Sequence, residues 1–261
     1  IFMIGAFICY FMVSFLHLPW GLGALLAILA STIAGLLVLQ LVYRPLIKRN
    51  APVLTIFIAS FGASLGLRHL FMMFLTDRRR PFPIPEFFNK MYFVGGVAIS
   101  FRDILIFITT ILIMLAIAYF IKNTRLGIAM RAVSYDKQTA QLMGINSSRI
   151  ILAAFAIGSA LAGLSALEYG LSFGILNPSM GFLPGLEGFI AAVIGGIGNV
   201  PGAMIGGFII GIGEILFVAL LPSALSPLRP LFVWVLLLVI LFIKPSGLFR
   251  PNVKFEGIWG E

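Results

Sequence analysis

Three carboxylates stand out because they lie within long apolar stretches of the sequence: Glu168, Glu187 and Glu214. A charged side chain near the middle of a bilayer costs at least about 2.5 kcal/mol on insertion scales, so each of these groups must face protein or water. The chemistry that such positions offer is the binding of a polar or charged group in an otherwise apolar passage. For Glu214, the alternative is a packing role as a protonated or partnered side chain.

A second candidate group lies around an Asn-Pro pair, Asn177 and Pro178. A proline disfavours helical conformation in the residue before it, so the helix that carries Tyr169 and Ser172 must end there. The carbonyl groups that this break frees need protein, water or a bound solute as partners. Asn177, Ser172 and Tyr169 therefore join Glu214 and Glu187 as candidate solute-contacting residues.

The sequence holds no arrangement that indicates catalysis or a metal site. No Walker A, HExxH or GxSxG pattern occurs, and the two histidines, His17 and His69, fall in different segments. Cys9 is the only cysteine, which excludes an intramolecular disulfide and a CxxC site. We therefore predict no enzyme activity, no metal and no cofactor bound by this chain. Arg68, inside another apolar segment, either extends to the interface or pairs with a carboxylate.

The elements that must position these residues are membrane helices. The chain is 61% hydrophobic and only 10% charged, too little charge for a water-facing surface of this size. Its apolar runs are long and do not alternate in polarity, which favours helices over a β-barrel. We predict an all-α, polytopic transmembrane bundle that forms a single domain over residues 1–261. Its eight segments run over residues 1–18, 21–43, 53–75, 103–121, 150–172, 183–198, 201–221 and 229–245.

The first segment begins at Ile1, already inside an apolar stretch. We expect an N-terminal helix with its lead-in to precede it in the longer protein. The stretch has no charged leader region and no small-residue cleavage site, so it does not read as a signal peptide.

Basic residues set the orientation, because cytoplasmic loops are enriched in Lys and Arg. Residues 44–49, residues 122–149 and the C-terminal tail hold eleven of the eighteen basic residues, and the opposite loops hold six. We assign the first group to the cytoplasm, although Arg78, Arg79 and Arg80 lie on the other side. Segments 183–198 and 201–221 must then both cross for the tail to return to the cytoplasm. The net charge of +9 reflects this topology and contact with anionic lipid, not nucleic-acid binding.

The cytoplasmic loop 122–149 contains its own helix signal. Apolar residues recur there at helical spacing, which predicts a short amphipathic helix. Arg131, Asp136 and Gln141 lie on its other faces, and Gly144 is expected to end the helix. Such an element suits docking against a soluble partner, and the alternative is a helix that lies on the lipid surface.

Glycines near the C-terminus predict closely packed helices. Gly202 with Gly206, and Gly207 with Gly211, give two GxxxG spacings, and in lipid such faces let helix backbones approach closely. Residues 199–201, Asn-Val-Pro, predict a tight turn between the two segments.

Several motifs resemble one family of transporters. QTAQLMG is similar to the E-A-A, three residues, Gly motif of ABC importer permeases, with Gln138, Thr139 and Ala140 at the first positions and Gly144 at the glycine. GGIGNVPGAMIGG, with YRPLIKR and KPSGLF, resembles branched-chain amino-acid permeases of the Liv type along nearly the whole chain. The chain lacks the motif's Glu at position 138. Glu214 matches an acid of the family pattern, whereas Glu187 stands where a basic residue is commoner.

The resemblance implies a subunit of an ATP-driven importer in the bacterial inner membrane. It implies a second homologous permease, two cytoplasmic ATP-binding subunits that hold ATP and Mg, and an extracytoplasmic solute-binding protein. Branched-chain or related amino acids would cross by alternating access. The same superfamily also imports amides, urea, nucleosides or sugars. A stand-alone channel or ion-coupled carrier would show paired intramembrane charges, and here the acids are scattered along the sequence.

Overall fold

The structure is a computed structural model of the chain. It describes residues 1–49, 51–75, 79–94, 97–196, 198–220, 228–244 and 247–249. The chain forms two compact units: unit 1 comprises residues 1–113 and 140–181, and unit 2 comprises residues 114–139 and 182–261. Arg78, Arg250 and Lys254, which entered the orientation count, lie outside the described residues.

Helices dominate both units, as predicted. The α-helices are α1 Phe2–Ser14, α2 Trp20–Val38, α3 Arg44–Lys48, α4 Val53–Leu75, α5 Phe101–Asn123, α6 Arg125–Tyr135, α7 Lys137–Leu142, α8 Ser147–Phe173, α9 Phe182–Gly195, α10 Val200–Leu220 and α11 Arg229–Ile243. A π-helical turn, Leu39–Tyr43, joins α2 to α3. Each predicted segment corresponds to one apolar helix, because a helix satisfies its own backbone hydrogen bonds in lipid.

Not all of these helices are long enough to cross a bilayer. Within the described residues, five spans have the length and composition needed: Trp20–Lys48, Leu54–Met73, Phe101–Asn123, Ser147–Phe173 and Val200–Leu220. The other three, α1, α9 and α11, have 13, 14 and 15 residues. A crossing needs about 20 residues, so the predicted crossing of segment 183–198 is not matched by the length of α9 alone.

Small residues hold the core of unit 1 together, where α1, α2 and α8 pack on one another. Ser31 of α2 is fully buried between two glycines, Gly5 of α1 and Gly163 of α8. An added Cβ at Gly163 would lie 2.7 Å from the Ser31 side chain, and one at Gly35 would overlap Ser159. The helices are therefore close enough that a single methyl group at these positions would displace them.

The loop between α4 and α5 covers one end of this core. Strand β1, Arg80–Pro81, pairs antiparallel with β4, Ile175–Leu176, and β2, Met91–Val94, forms a hairpin with β3, Val97–Ser100. A 3₁₀ turn, Glu86–Asn89, precedes the hairpin. Phe82 and Phe88 are both buried. Phe82 packs against Gly170, and the ring centroids of Phe88 and Trp20 are 5.1 Å apart.

In unit 2, α9 and α10 form a tightly packed antiparallel pair. An added Cβ at Gly202 would overlap the carbonyl of Gly195, and one at Gly206 would overlap the carbonyl of Ala191. The second GxxxG pair behaves differently: Gly207 has only an ordinary contact, and nothing lies within 4 Å of a Cβ at Gly211. Close packing is thus present on one of the two predicted glycine faces.

The turn between α9 and α10 contacts residues 248 and 249. Asn199 accepts a hydrogen bond from the Gly202 N–H at 3.1 Å and donates one to the Phe249 carbonyl at 2.9 Å. The Leu248 N–H donates to the Ile194 carbonyl at 2.8 Å. The turn and residues 248–249 therefore lie at the same end of unit 2.

Candidate functional site

Unit 2 contains a buried ion pair between α10 and α11. Glu214 is 3% exposed, and its Oε2 lies 2.5 Å from Nη2 of Arg229. Its second oxygen, Oε1, is buried without a hydrogen-bond partner among the described residues. The Arg229 side chain is 44% exposed, so the guanidinium links the buried carboxylate to the surface of the unit. Loss of Arg229 would leave this carboxylate as an uncompensated charge in an apolar helix pair.

Glu187 of α9 belongs to the same cluster. It lies close enough to Glu214 and Arg229 for the charges of both to act on its carboxyl group. Glu187 and Glu214, expected to be scattered, are therefore grouped near one guanidinium, which pairs with Glu214. Sequence reasoning missed this because it placed Arg229 in an outer loop, whereas Arg229 is the first residue of α11 and faces α10 from there.

The third carboxylate, Glu168, lies in unit 1 and is held by hydroxyl groups. Thr109 Oγ1 of α5 donates to Oε1 of Glu168 at 2.7 Å, and Thr110 Oγ1 approaches Oε2 at 3.5 Å. Among the described residues, no Lys, Arg or His nitrogen lies within 4.0 Å of this carboxylate. The two threonines were not singled out from the sequence, although adjacent hydroxyls inside the apolar segment 103–121 were a visible signal.

The residues around the Asn-Pro pair surround the end of α8. The helix ends at Phe173, and Gly174 adopts φ +67°, a left-handed conformation that glycine accepts without strain. Asn177 follows outside the helix, and its Oδ1 accepts from the Ser179 N–H at 2.9 Å. Tyr169 stacks on Phe173 with centroids 4.3 Å apart, and Ser172 is exposed. Asn177 thus stabilises its own turn. Among Asn177, Tyr169 and Ser172, Ser172 is the exposed one.

The loop over residues 122–149 forms two helices where one was predicted. Asp136 adopts an extended conformation, separates α6 from α7, and accepts from the backbone N–H of Gln138 at 2.8 Å. The Thr139 N–H and hydroxyl also donate to its carboxylate. The side-chain bond from Thr139, then the backbone N–H groups of Thr139 and Gln138, lower the pKa of Asp136. The prediction missed the break because an acid that caps a new helix also fits the polar face of a longer one.

The short helix α7 exposes both polar and apolar side chains. Ala140 is buried, Gln138 and Thr139 are exposed, and Gly144 ends the turn with φ +83°, as expected. Leu142, the last residue of α7, is 87% exposed, and Met143 just after it is 79% exposed. We refer to residues 136–144 as the hook. It offers an apolar tip that the described residues leave uncovered.

Arg68 of α4 has no ion-pair partner within the described residues. Its Nε is buried without a hydrogen bond, and the neighbouring His69 Nδ1 lies 2.9 Å from the Leu65 carbonyl. The pairing with a carboxylate that the sequence left open is therefore not observed there.

Apolar helices of spanning length, a few polar side chains within them, and a capped hook in a basic loop are the features of a multi-pass membrane transport subunit. The chain belongs to the family described as "Branched-chain amino acid transport system / permease component", which matches residues 1–243. The predicted fold class and family are thereby confirmed. Proteins of this kind are transport subunits, and they are not enzymes.

Curated relatives cover almost the whole chain. It is 35% identical to the high-affinity branched-chain amino acid transport system permease protein LivH of Escherichia coli K12. It is 34% identical to LivH of Salmonella typhimurium and to BraD of Pseudomonas aeruginosa. Each comparison covers 97% of this chain and 85% of the relative. No solved structure matches the chain.

Proposed function

We propose that this chain is the membrane-spanning subunit through which an ATP-driven importer moves branched-chain or closely related amino acids into the cytoplasm. One observation carries the proposal: the identity of 34–35% to the LivH and BraD permeases extends over 97% of the chain. Such coverage includes the hook as well as the membrane helices. The amides, urea, nucleosides and sugars that the sequence left open have no comparable support.

The hook supports coupling to a separate ATPase. Gln138 and Thr139 are exposed, and Leu142 and Met143 form an apolar tip without cover. A partner that buried this tip would gain about 25 cal/mol for each Å² removed from water. We propose that two ATP-binding subunits, which hold ATP and Mg, dock on the hooks of this chain and of a second homologous permease. An extracytoplasmic solute-binding protein would deliver the amino acid to the opposite side.

The test is uptake of radiolabelled leucine into proteoliposomes that contain the assembled importer, its binding protein and internal ATP. We expect uptake that stops when ATP is replaced by a non-hydrolysable analogue. Wild-type complexes that hydrolyse ATP but accumulate no leucine, isoleucine or valine would refute the proposal.

The cap at Asp136 gives a matched pair of variants for the hook. Asp136→Ala removes the acceptor for three hydrogen bonds and should weaken docking of the ATPase, whereas Asp136→Asn keeps an acceptor oxygen and should retain more of it. Because the pKa of Asp136 is lowered, the stability that its ionised carboxylate gives to the hook is fully present above the ordinary pKa of 3.8. That stability is lost as pH falls through the lowered pKa. Co-purification of the ATPase at neutral pH measures the difference. Equal retention by both variants would contradict a docking role for the cap.

A further inference from the structure

The carboxylate of Glu168 has acceptor capacity that the described residues do not use. An ionised carboxylate offers about four acceptor positions, and here two hydroxyls approach it, Thr109 at 2.7 Å and Thr110 at 3.5 Å. The Thr109 hydroxyl also lies 2.9 Å from the Leu105 carbonyl and 3.0 Å from that of Ile106. Since it carries one proton, it cannot serve all three acceptors at once. The carboxylate is therefore oriented by its hydroxyl partners without being saturated by them.

The charge of Glu168 is also uncompensated, in contrast to that of Glu214. No basic side chain reaches it in the part of the chain that the structure describes, and the groups that act on it are the two threonines. A carboxylate inside a spanning helix without a counterion is costly, so it needs either a proton or a cation from outside the chain. A group with several N–H donors would supply both the charge and the missing hydrogen bonds.

The surroundings of Glu168 allow access from outside the chain. Glu168 is only partly buried, and Ser165 and Ser172, three residues before and four residues after it on the same helical face, are exposed. On α5, Leu112 lies one turn beyond Thr109 and is 59% exposed. Exposed hydroxyls in a membrane helix favour water over lipid, and the adjacent Leu112 offers an apolar surface. This combination suits a small ligand with an ammonium group and a branched aliphatic side chain.

We propose that Glu168, supported by Thr109 and Thr110, binds the α-ammonium group of the transported amino acid. The inference rests on the proposed function, which supplies an amino acid as the substrate. In this arrangement the carboxylate pairs with the ammonium, Thr109 fixes the carboxylate's orientation, and the aliphatic side chain lies along apolar surface of α5. Glu214, which is buried and paired with Arg229, is not available for this role without a rearrangement.

The decisive experiment compares two fragments of leucine on the assembled importer, without nucleotide and without the binding protein. Isoamylamine keeps the ammonium and side chain of leucine, and isocaproate keeps the carboxylate and side chain. Binding is measured as protection of Ser165→Cys from a thiol reagent, since the native Cys9 is fully buried and unreactive. Leucine and isoamylamine should protect, and isocaproate and sodium ions should not.

Glu168→Gln provides the matched control, because glutamine keeps the shape and can still bond to Thr109 but lacks the charge. It should raise the leucine concentration needed for protection by at least about tenfold, the loss of one charged hydrogen bond. Protection by isocaproate equal to that by isoamylamine, protection by sodium ions, or an unchanged leucine requirement in Glu168→Gln would each overturn the proposal. If Glu168→Gln fails to assemble, the two fragments decide the question on the native residue.

The two proposals fail in different ways. If the wild-type complex imports no branched-chain amino acid, the proposed function is wrong. If it imports leucine normally while the fragment order is reversed, only the ammonium site is wrong.

Discussion

Glu168 in unit 1 and Glu214 in unit 2 are both glutamates within apolar helices, but the surroundings of their carboxylates differ. Glu214 is almost fully buried and ends against the guanidinium of Arg229, 2.5 Å away. Glu168 is partly exposed and is held by the hydroxyls of Thr109 and Thr110. The first carboxylate has its counterion within the chain, and the second has none among the described residues. The difference teaches that an intramembrane acid becomes a candidate binding group only when its charge is left unmatched.

The largest expected effect comes from breaking the ion pair of unit 2. Arg229→Leu leaves the buried Glu214 without a counterion and should lower the free energy of unfolding by about 2–3 kcal/mol. This figure lies at or below the low end for a buried pair because the Arg229 side chain is 44% exposed. Unfolding of the purified chain in rising concentrations of a denaturing detergent measures the loss in the free energy of unfolding.

The double variant Glu214→Leu with Arg229→Leu is the control for that measurement. It removes both charges, so it should recover most of the lost stability. A single variant as stable as the wild type would show that Glu214 does not depend on Arg229, and the contrast with Glu168 would disappear.

The next effect tests the packing that brings Glu187 close to Glu214. Gly206→Ala places a methyl group against the Ala191 carbonyl and should cost about 1–3 kcal/mol in the free energy of unfolding. Gly211→Ala, on the open side of the same helix, should cost nothing and add up to about 1 kcal/mol through helix propensity. The same denaturation assay compares the two variants. Equal destabilisation by both would place α9 and α10 in a different contact.

The smallest effect sharpens the description of Glu168. Thr109→Val removes the hydrogen bond of 2.7 Å and should cost about 1 kcal/mol, a typical net value for one such bond. Thr110→Val removes the contact of 3.5 Å and should cost less, because bonds of that length are weak. Thermal unfolding of the two matched variants measures the difference. A larger loss in Thr110→Val would assign the orienting role to the other hydroxyl.

Local features of the chain were predictable because they depend on short-range physics. Each apolar segment became a helix, since a backbone in lipid has no other way to satisfy its hydrogen bonds. Gly144 ends α7 with a positive φ because glycine alone accepts that conformation freely. The division of the hook at Asp136 was not predicted, since its carboxylate fits both a polar face and a helix cap.

Tertiary packing determines which side chains meet. Gly202 with Gly206 and Gly207 with Gly211 have the same spacing, but only the first pair packs closely against α9, because the rotation of a helix about its axis is fixed by packing. Glu168 and Thr109 are 59 residues apart in sequence and belong to different helices. From sequence alone, the apolar helices and the glycine that ends the hook were predictable. The packing of the helices places a guanidinium beside Glu214 and two hydroxyl groups beside Glu168. Composition alone cannot predict that difference.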